Sequence, residues 1–219
     1  MAMTADGKIA SSNRQLFQFG SADDIEHLYQ LRAKADAIIT GATTLREAKV
    51  QLDNGGPKFE ALRKRNRRPR HPLRIVTTQS GNLPWECAFF HSDLPAPFVL
   101  TTKTGAKRLR RPSGIELNLA IFGRQEIDLT SFLEWLKQEH GVNQLQCEGG
   151  GQLNDLFFRN GCVDELYLTI SPHLCGGQAS PTIVDGIGFP NLEQAAHLEL
   201  ISSRKKGSDR LLHLRVLPT

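Results

Sequence analysis

Residues 145–158 read LQCEGGGQLNDLFF. An acid, Glu148, is followed by Gly149, Gly150 and Gly151, and helical spacing begins only at Gln152, running to Arg159. Three successive glycines cost backbone entropy, which a chain tolerates where φ is positive or where another group must approach the main chain. A glycine turn that opens a helix answers both needs, because the first helical N–H groups lack intrahelical partners and the macrodipole favours an anion there. Phosphate is the natural guest, although a tight turn with no ligand uses the same residues. Glu148 would close a strand, and open α/β sheets bind ligands beyond the carboxyl ends of their strands. The stretch therefore offers a carboxylate and an anion cradle in succession.

Other residue clusters exclude more than they assign. The run RKRNRRPR at 63–70 carries six cations in eight residues. It has no aromatic for base stacking, so it reads as a solvated loop rather than a nucleic-acid surface. The excess of cations, net +4, also suits anionic metabolites. Cys87, Cys147, Cys162 and Cys175 form no C-x-x-C pair, and the seven histidines are scattered, so no metal site is expected. Cys147 reads as a small core residue at its strand end. No apolar run approaches the roughly 20 residues that span a bilayer, and no signal-peptide pattern opens the chain, which implies a cytoplasmic protein.

The elements that must position these residues alternate between helical and strand patterns, which predicts an α/β fold with a mainly parallel sheet. Ser21 with Asp24 resembles a capping box for a helix running to about Ala35. Strands are expected at 36–41, 73–78, 97–102 and 115–122, with helical character at 42–52 and an amphipathic helix at 128–140. A strand ending at Glu148, a helix closed by Gly161 as a C′ residue, and a strand at 164–170 follow. The segment from His197 to Leu217 alternates on both sides of a Gly turn and predicts an antiparallel hairpin. No repeat or composition break divides the 219 residues, so one domain is expected.

Four segments, MTADGKIA (3–10), ADAIITGATT (35–44), CEGGGQLNDLF (147–157) and VDELYLTISPHLCGG (163–177), together resemble the reductase family of bacterial riboflavin biosynthesis. The resemblance runs in order over nearly the whole chain. It implies a dihydrofolate-reductase-like fold and NADPH-dependent reduction of a ribosylaminopyrimidine phosphate, in a protein that is commonly a homodimer. Carried over residue by residue, it makes Glu148 a substrate-side and catalytic group. Gly149, Gly150, Gly151, Gln152 and Leu153 become cofactor contacts. Asp6 matches the turn over the nicotinamide, and an Asp-Gly pair is equally an ordinary turn whose carboxylate caps local N–H groups. Thr44 matches a threonine at the cofactor, while helix N-capping would explain Thr43 or Thr44 as well. The proton for the reduced nitrogen would come from Asp6, Glu148 or water. A cation among Arg63 to Arg70 or Lys103 to Arg111 would meet the 2′-phosphate. Asp164 and Glu165 read as structural.

The chain also departs from the family. Acids and a proline are expected after the threonine, then an arginine for the substrate; TLREAKVQLDNGG places Ala48 and Lys49 at the acids and Gly55 or a neighbour at the arginine. A pterin or another conjugated C=N or C=C compound therefore stands as an alternative substrate. A non-catalytic nucleotide- or nucleic-acid-binding protein is a further alternative. Only Met1, Ala2 and Met3 precede the TADG turn, which implies a short first strand or a true start further upstream; the second is the expectation.

Overall fold

A computed structural model describes residues 1–15 and 19–218. The chain forms two compact units, Met1–Leu28 with Gly149–Thr219, and Tyr29–Glu148. The first strand, β1 (Ala2–Thr4), has only three residues, and helix α1 (Ala22–Arg32) carries the chain from the first unit into the second. The anticipated capping box does not form. Ser21 Oγ is buried without a partner, and the Asp24 carboxylate lies against Gly20 instead.

The second unit is a five-stranded parallel sheet in the order β5-β4-β3-β2-β6. Strand β2 (Ala37–Gly41) buries Ala37, Ile38, Ile39 and Thr40 in succession, the continuous burial expected of a parallel strand covered on both faces. Helix α2 (Ala42–Ala48) follows at once with Gly41 as its N-cap. No side chain caps it, so Thr43 and Thr44 lie in its first turn and the capping reading of these threonines is excluded. Helix α3 (Pro57–Arg65) starts on a proline, whose fixed φ suits a first helical position. Strands β3 (Leu73–Thr78) and β4 (Phe98–Thr101) lie side by side. Helix α4 (Lys103–Arg108) is capped by Thr102 Oγ1 accepting from Gly105 N–H, and β5 (Asn118–Ile121) forms the edge. Helix α5 (Leu129–His140) is capped by Asp128 and buries Leu129, Phe132 and Leu136, as its periodicity predicts. Each such buried side chain contributes about 1.5–3 kcal/mol. Strand β6 (Leu145–Cys147) completes the sheet; Cys147 is only half-buried, and the buried thiol is Cys87.

The basic run divides: Lys64, Arg65, Arg67 and Arg70 are exposed, as expected of a solvated segment, while Arg63 is architecture. Arg63 is fully buried in α3 and donates to the carbonyls of Arg32 (2.6 Å), Ala35 (2.8 Å) and Pro69 (2.7 Å). Arg68 pairs with Asp36, and Arg70 with Glu60 at 3.0 Å. Arg74 on β3 is likewise buried and donates to the carbonyls of Gln51, Phe89 and Pro95. Burial without a carboxylate partner in contact brings its pKa down to about 10.

In the first unit, α6 (Gly151–Arg159) follows the glycine turn, and Gly161, at φ 62°, ends it as expected. A four-stranded sheet has the order β1-β7-β9-β8. Strand β7 (Glu165–Ser171) pairs parallel with β1 and antiparallel with β9 (Asp209–Val216), which forms the terminal hairpin with β8 (Leu198–Lys206). The mainly parallel sheet and the closing hairpin were both legible in the strand patterns; α3 and α4 were not.

Candidate active site

Glu148 leaves β6 with its N–H donated to Ile39 O at 2.9 Å. Its carboxylate is gripped by Arg32 in a two-point fork, Nε to Oε1 at 2.6 Å and Nη2 to Oε2 at 2.7 Å. Gln146 adds a third donor to Oε1 at 3.0 Å. Arg32 Nη1 reaches the Asp53 carbonyl at 3.1 Å and its carboxylate at 3.5 Å, and the Tyr29 ring lies 4.9 Å from the guanidinium. The side chains of Arg32 and Glu148 are only 5% and 11% exposed. Burial works against the Arg32 charge, but the Glu148 carboxylate outweighs it and the pKa of Arg32 is raised. A fork of this kind is among the stronger polar contacts available to a protein. It presents Glu148 as a fixed acceptor with little freedom to swing.

The glycine turn divides by function. Gly149, joined to Gly150 by a cis peptide bond, has φ +75°, and a Cβ there would lie 2.9 Å from the Met1 thioether. Gly151 accepts from Asp185 N–H at 3.0 Å, and its missing Cβ would meet Asp185 Oδ2 and Thr182 O at 2.7 Å. Close approach of the unit's own chain therefore accounts for these two. Gly150 is different. It caps α6 with no side-chain hydrogen bond, is half-buried at φ −48°, and stands beside exposed Gln152. Leu153 is buried and its N–H is donated to Gly150 O at 3.0 Å. The uncapped first turn of α6 suits an anionic group such as a cofactor phosphate, approached from the side of Gly150 and Gln152.

Asp6 is held in another way. Its carboxylate accepts from Thr4 Oγ1 at 2.6 Å, Cys175 N–H at 3.0 Å and Gly176 N–H at 2.7 Å. The Thr4 hydroxyl and these two amides hold its pKa well below the usual carboxylate range. The turn reading of the Asp-Gly pair is thus what the geometry displays, with the capped N–H groups far away in sequence.

Thr44 is half-buried in α2, beside the fully buried Leu45. The departing segment that follows has its own logic. Lys49 and Leu52 both take left-handed backbone, at φ 52° and 56°, and Asp53 and Asn54 fold back on the N–H groups of Gly55 and Gly56. A Cβ on Gly55 would lie 2.2 Å from the Tyr29 ring, so no arginine fits there. Lys103, Lys107 and Arg124 instead line a surface hollow of about 800 Å³ in the same unit.

Thr44 and Glu148 belong to the second unit; Asp6 and the turn from Gly149 to Leu153 belong to the first. Arg32 and Asp53 are the residues that sequence reasoning missed. A basic residue in a last helical turn reads as a macrodipole partner, and an Asp-Asn-Gly-Gly string reads as a turn. Neither signal points to a carboxylate more than one hundred residues downstream of Arg32.

Comparison with known proteins supplies a frame for this geometry. The family model described as the RibD C-terminal domain matches residues 1–212. A 2,5-diamino-6-ribosylamino-4(3H)-pyrimidinone 5′-phosphate reductase of Aquifex aeolicus is 27% identical over 220 residues, covering 98% of this chain and 93% of that one. The reductase of the same name from Methanothermobacter thermautotrophicus is 28% identical over 218 residues, covering 98% and 95%. Against the riboflavin biosynthesis protein RibD of Synechocystis, 28% identical, the chain spans about half of the relative's length, 54%. Among solved structures, a pyrimidine reductase-like protein from Corynebacterium diphtheriae superposes with a TM-score of 0.80 at 21% identity, covering all of this chain and 90% of that one. Acinetobacter baumannii RibD gives 0.75 at 19%, covering 99% and 56%. At these identities the structural likeness establishes the dihydrofolate-reductase-like fold of the RibD reductases.

Proposed function

The chain belongs to the RibD C-terminal domain family, and from that membership we propose that it is a cytoplasmic oxidoreductase, a single reductase domain that reduces a ribosylaminopyrimidine 5′-phosphate with NADPH. The names borne by its Aquifex and Methanothermobacter relatives support the substrate class. The observation that carries the reading is Glu148, a carboxylate fixed by Arg32 immediately before a glycine turn whose helix is uncapped.

In this reading a cofactor phosphate approaches the first turn of α6 from the side of Gly150 and Gln152. Gly149, Gly151 and Leu153 shape that turn, and Thr44 is a further cofactor contact. Lys103 or Lys107, with Arg124, answers the 2′-phosphate that separates NADPH from NADH. When bound, the cofactor supplies a hydride from C4 of its nicotinamide to C1 of the opened sugar. Glu148 accepts hydrogen bonds from the substrate and orients the acceptor carbon. Asp6 shapes the turn beside the nicotinamide. Both carboxylates are already engaged as acceptors, so the proton that reaches nitrogen comes from water.

The test is a fluorescence titration with NADPH, NADH as the paired control, followed by loss of NADPH absorbance on adding the ribosylaminopyrimidine phosphate. Saturable binding, tighter for NADPH, with turnover supports the proposal. Gly150→Val should weaken NADPH binding at least tenfold in a folded protein; unchanged affinity would remove the glycine turn from the site. A second reading keeps fold and cofactor but changes the substrate to a pterin or another conjugated C=N compound. The exclusion of an arginine at Gly55 favours it, and turnover of a pterin in preference to the phosphate would establish it. The engagement of Arg63, Arg68 and Arg70 within the fold speaks against a nucleic-acid binder. The protein would act as a homodimer through β8, an edge strand that leaves Leu198 and Leu200 43% and 58% exposed; a monomer in sedimentation would refute that arrangement.

A further inference from the structure

The proposed reaction needs a carboxylate that stays where the substrate meets it, and the structure shows what keeps Glu148 in place. Arg32 spends three of its nitrogens on two acids. Nε and Nη2 take both oxygens of Glu148, while Nη1 takes the carbonyl and carboxylate of Asp53. The Tyr29 ring backs the guanidinium, and the backbone carbonyl of Arg32 is itself held by the buried Arg63 at 2.6 Å. Asp53 sits in the segment that departs from the family pattern, where the expected acids and arginine are absent. Its carboxylate also accepts from Gly55 N–H at 2.9 Å, which ties the loop's turn to the same guanidinium.

We infer that Arg32 is a positioning residue for Glu148 and that Asp53 sets the tension of that pair, so the 50–56 loop tunes the substrate-side carboxylate from the far side of the guanidinium. This rests on the substrate-facing role of Glu148 proposed above. The chemistry explains why an arginine is needed. A planar fork fixes both oxygens of a carboxylate at once, whereas a lysine ammonium holds one point and leaves the carboxylate free to turn. Asp53 is partly open to solvent, with a side chain 36% exposed, so substitution of Asp53 reaches Arg32 without opening the core. The loop then acts on substrate recognition without touching the substrate.

The experiment is a double-mutant cycle on the full chain with Arg32→Lys, Glu148→Gln and the pair combined. It is read by kcat and KM with the ribosylaminopyrimidine phosphate, by calorimetric binding of that compound, and by Tm. Arg32→Lys should lower kcat/KM by roughly 10- to 100-fold and weaken substrate binding, with NADPH affinity unchanged. The combined variant should lose no more than Glu148→Gln alone, because residues acting as one unit are not additive. Asp53→Asn should raise KM severalfold, and Asp53→Glu should recover part of that loss. Leu136→Ala, which opens a cavity under α5 away from the 50–56 loop, should lower Tm and leave KM unchanged. Additive losses, or an Arg32→Lys enzyme that loses Tm alone, overturn the inference while leaving the reductase reading intact. A wild type that binds NADPH but neither binds nor turns over the phosphate overturns the substrate reading and the positioning role with it.

Discussion

Asp6 and Glu148 are both carboxylates held by three or more donors, yet they are held by opposite means. Around Asp6 the donors are neutral, a threonine hydroxyl and two backbone amides, and the acid stands at an exposed turn. Around Glu148 the principal donor is a guanidinium taken almost wholly out of water. A neutral cage costs little to leave half-filled, because solvent replaces any lost bond. A charged cage in a dry setting fails abruptly, because removal of either partner strands a buried charge. One unit thus anchors its acid in a manner sensitive to pH, and the other in a manner sensitive to substitution.

The contrast breaks most visibly at Glu148. Glu148→Leu leaves the Arg32 guanidinium buried without its fork and should cost about 3–5 kcal/mol in urea unfolding, the cost of breaking a buried pair. A loss below about 1 kcal/mol would show that water reaches Arg32 and that the two anchors are alike. Gly55→Arg, at one of the positions where the resemblance expects an arginine, tests the same neighbourhood from the loop. Its side chain has to displace the Tyr29 ring at a left-handed position, so a loss of roughly 1–3 kcal/mol from overpacking is expected, and recovered substrate affinity is not. In the other unit, Gly149→Ala should cost about 1–2 kcal/mol, since φ is +75° and the Met1 side chain must shift.

The smallest effect, and the one that sharpens the comparison, concerns pH. The folded pKa of Asp6 is depressed, so its contribution to stability is present above the ordinary value of 3.8 and is lost as pH falls below it. Asp6→Asn should therefore lower Tm at pH 7, with the difference from the wild type closing as pH falls below about 4. A parallel shift at every pH would mean that the turn depends on the shape of the side chain rather than on its charge.

These asymmetries also explain what could be read in advance. The parallel strands were legible because Ala37 to Thr40 and Ile75 to Thr78 are continuous apolar and β-branched runs, and the hairpin because 197–217 alternates about a glycine. Glu148 and the glycine turn stood out since three glycines need a local reason. Arg32 and Asp53 stayed hidden because their partnership is a property of the folded sheet: β2 and β6 are neighbours in space and far apart in sequence. Arg63 stayed hidden within the basic run for the same reason. Six cations suggest a surface, and only the carbonyls of Arg32, Ala35 and Pro69, gathered by folding, convert Arg63 into an interior tie.

That tie gives the run a particular behaviour toward proteases. Residues 63–70 hold more trypsin-specific positions than any comparable stretch, but Arg63 is buried and Arg68 precedes a proline. The amides of Asn66, Arg67 and Arg68 are donated to carbonyls of residues 62–64. Lys64, Arg65, Arg67 and Arg70 are exposed, so the bonds after them lie open in the native protein while the bond after Arg63 does not. Cleavage after Arg63 would then follow unfolding, which makes that cut a gauge of how often the second unit opens.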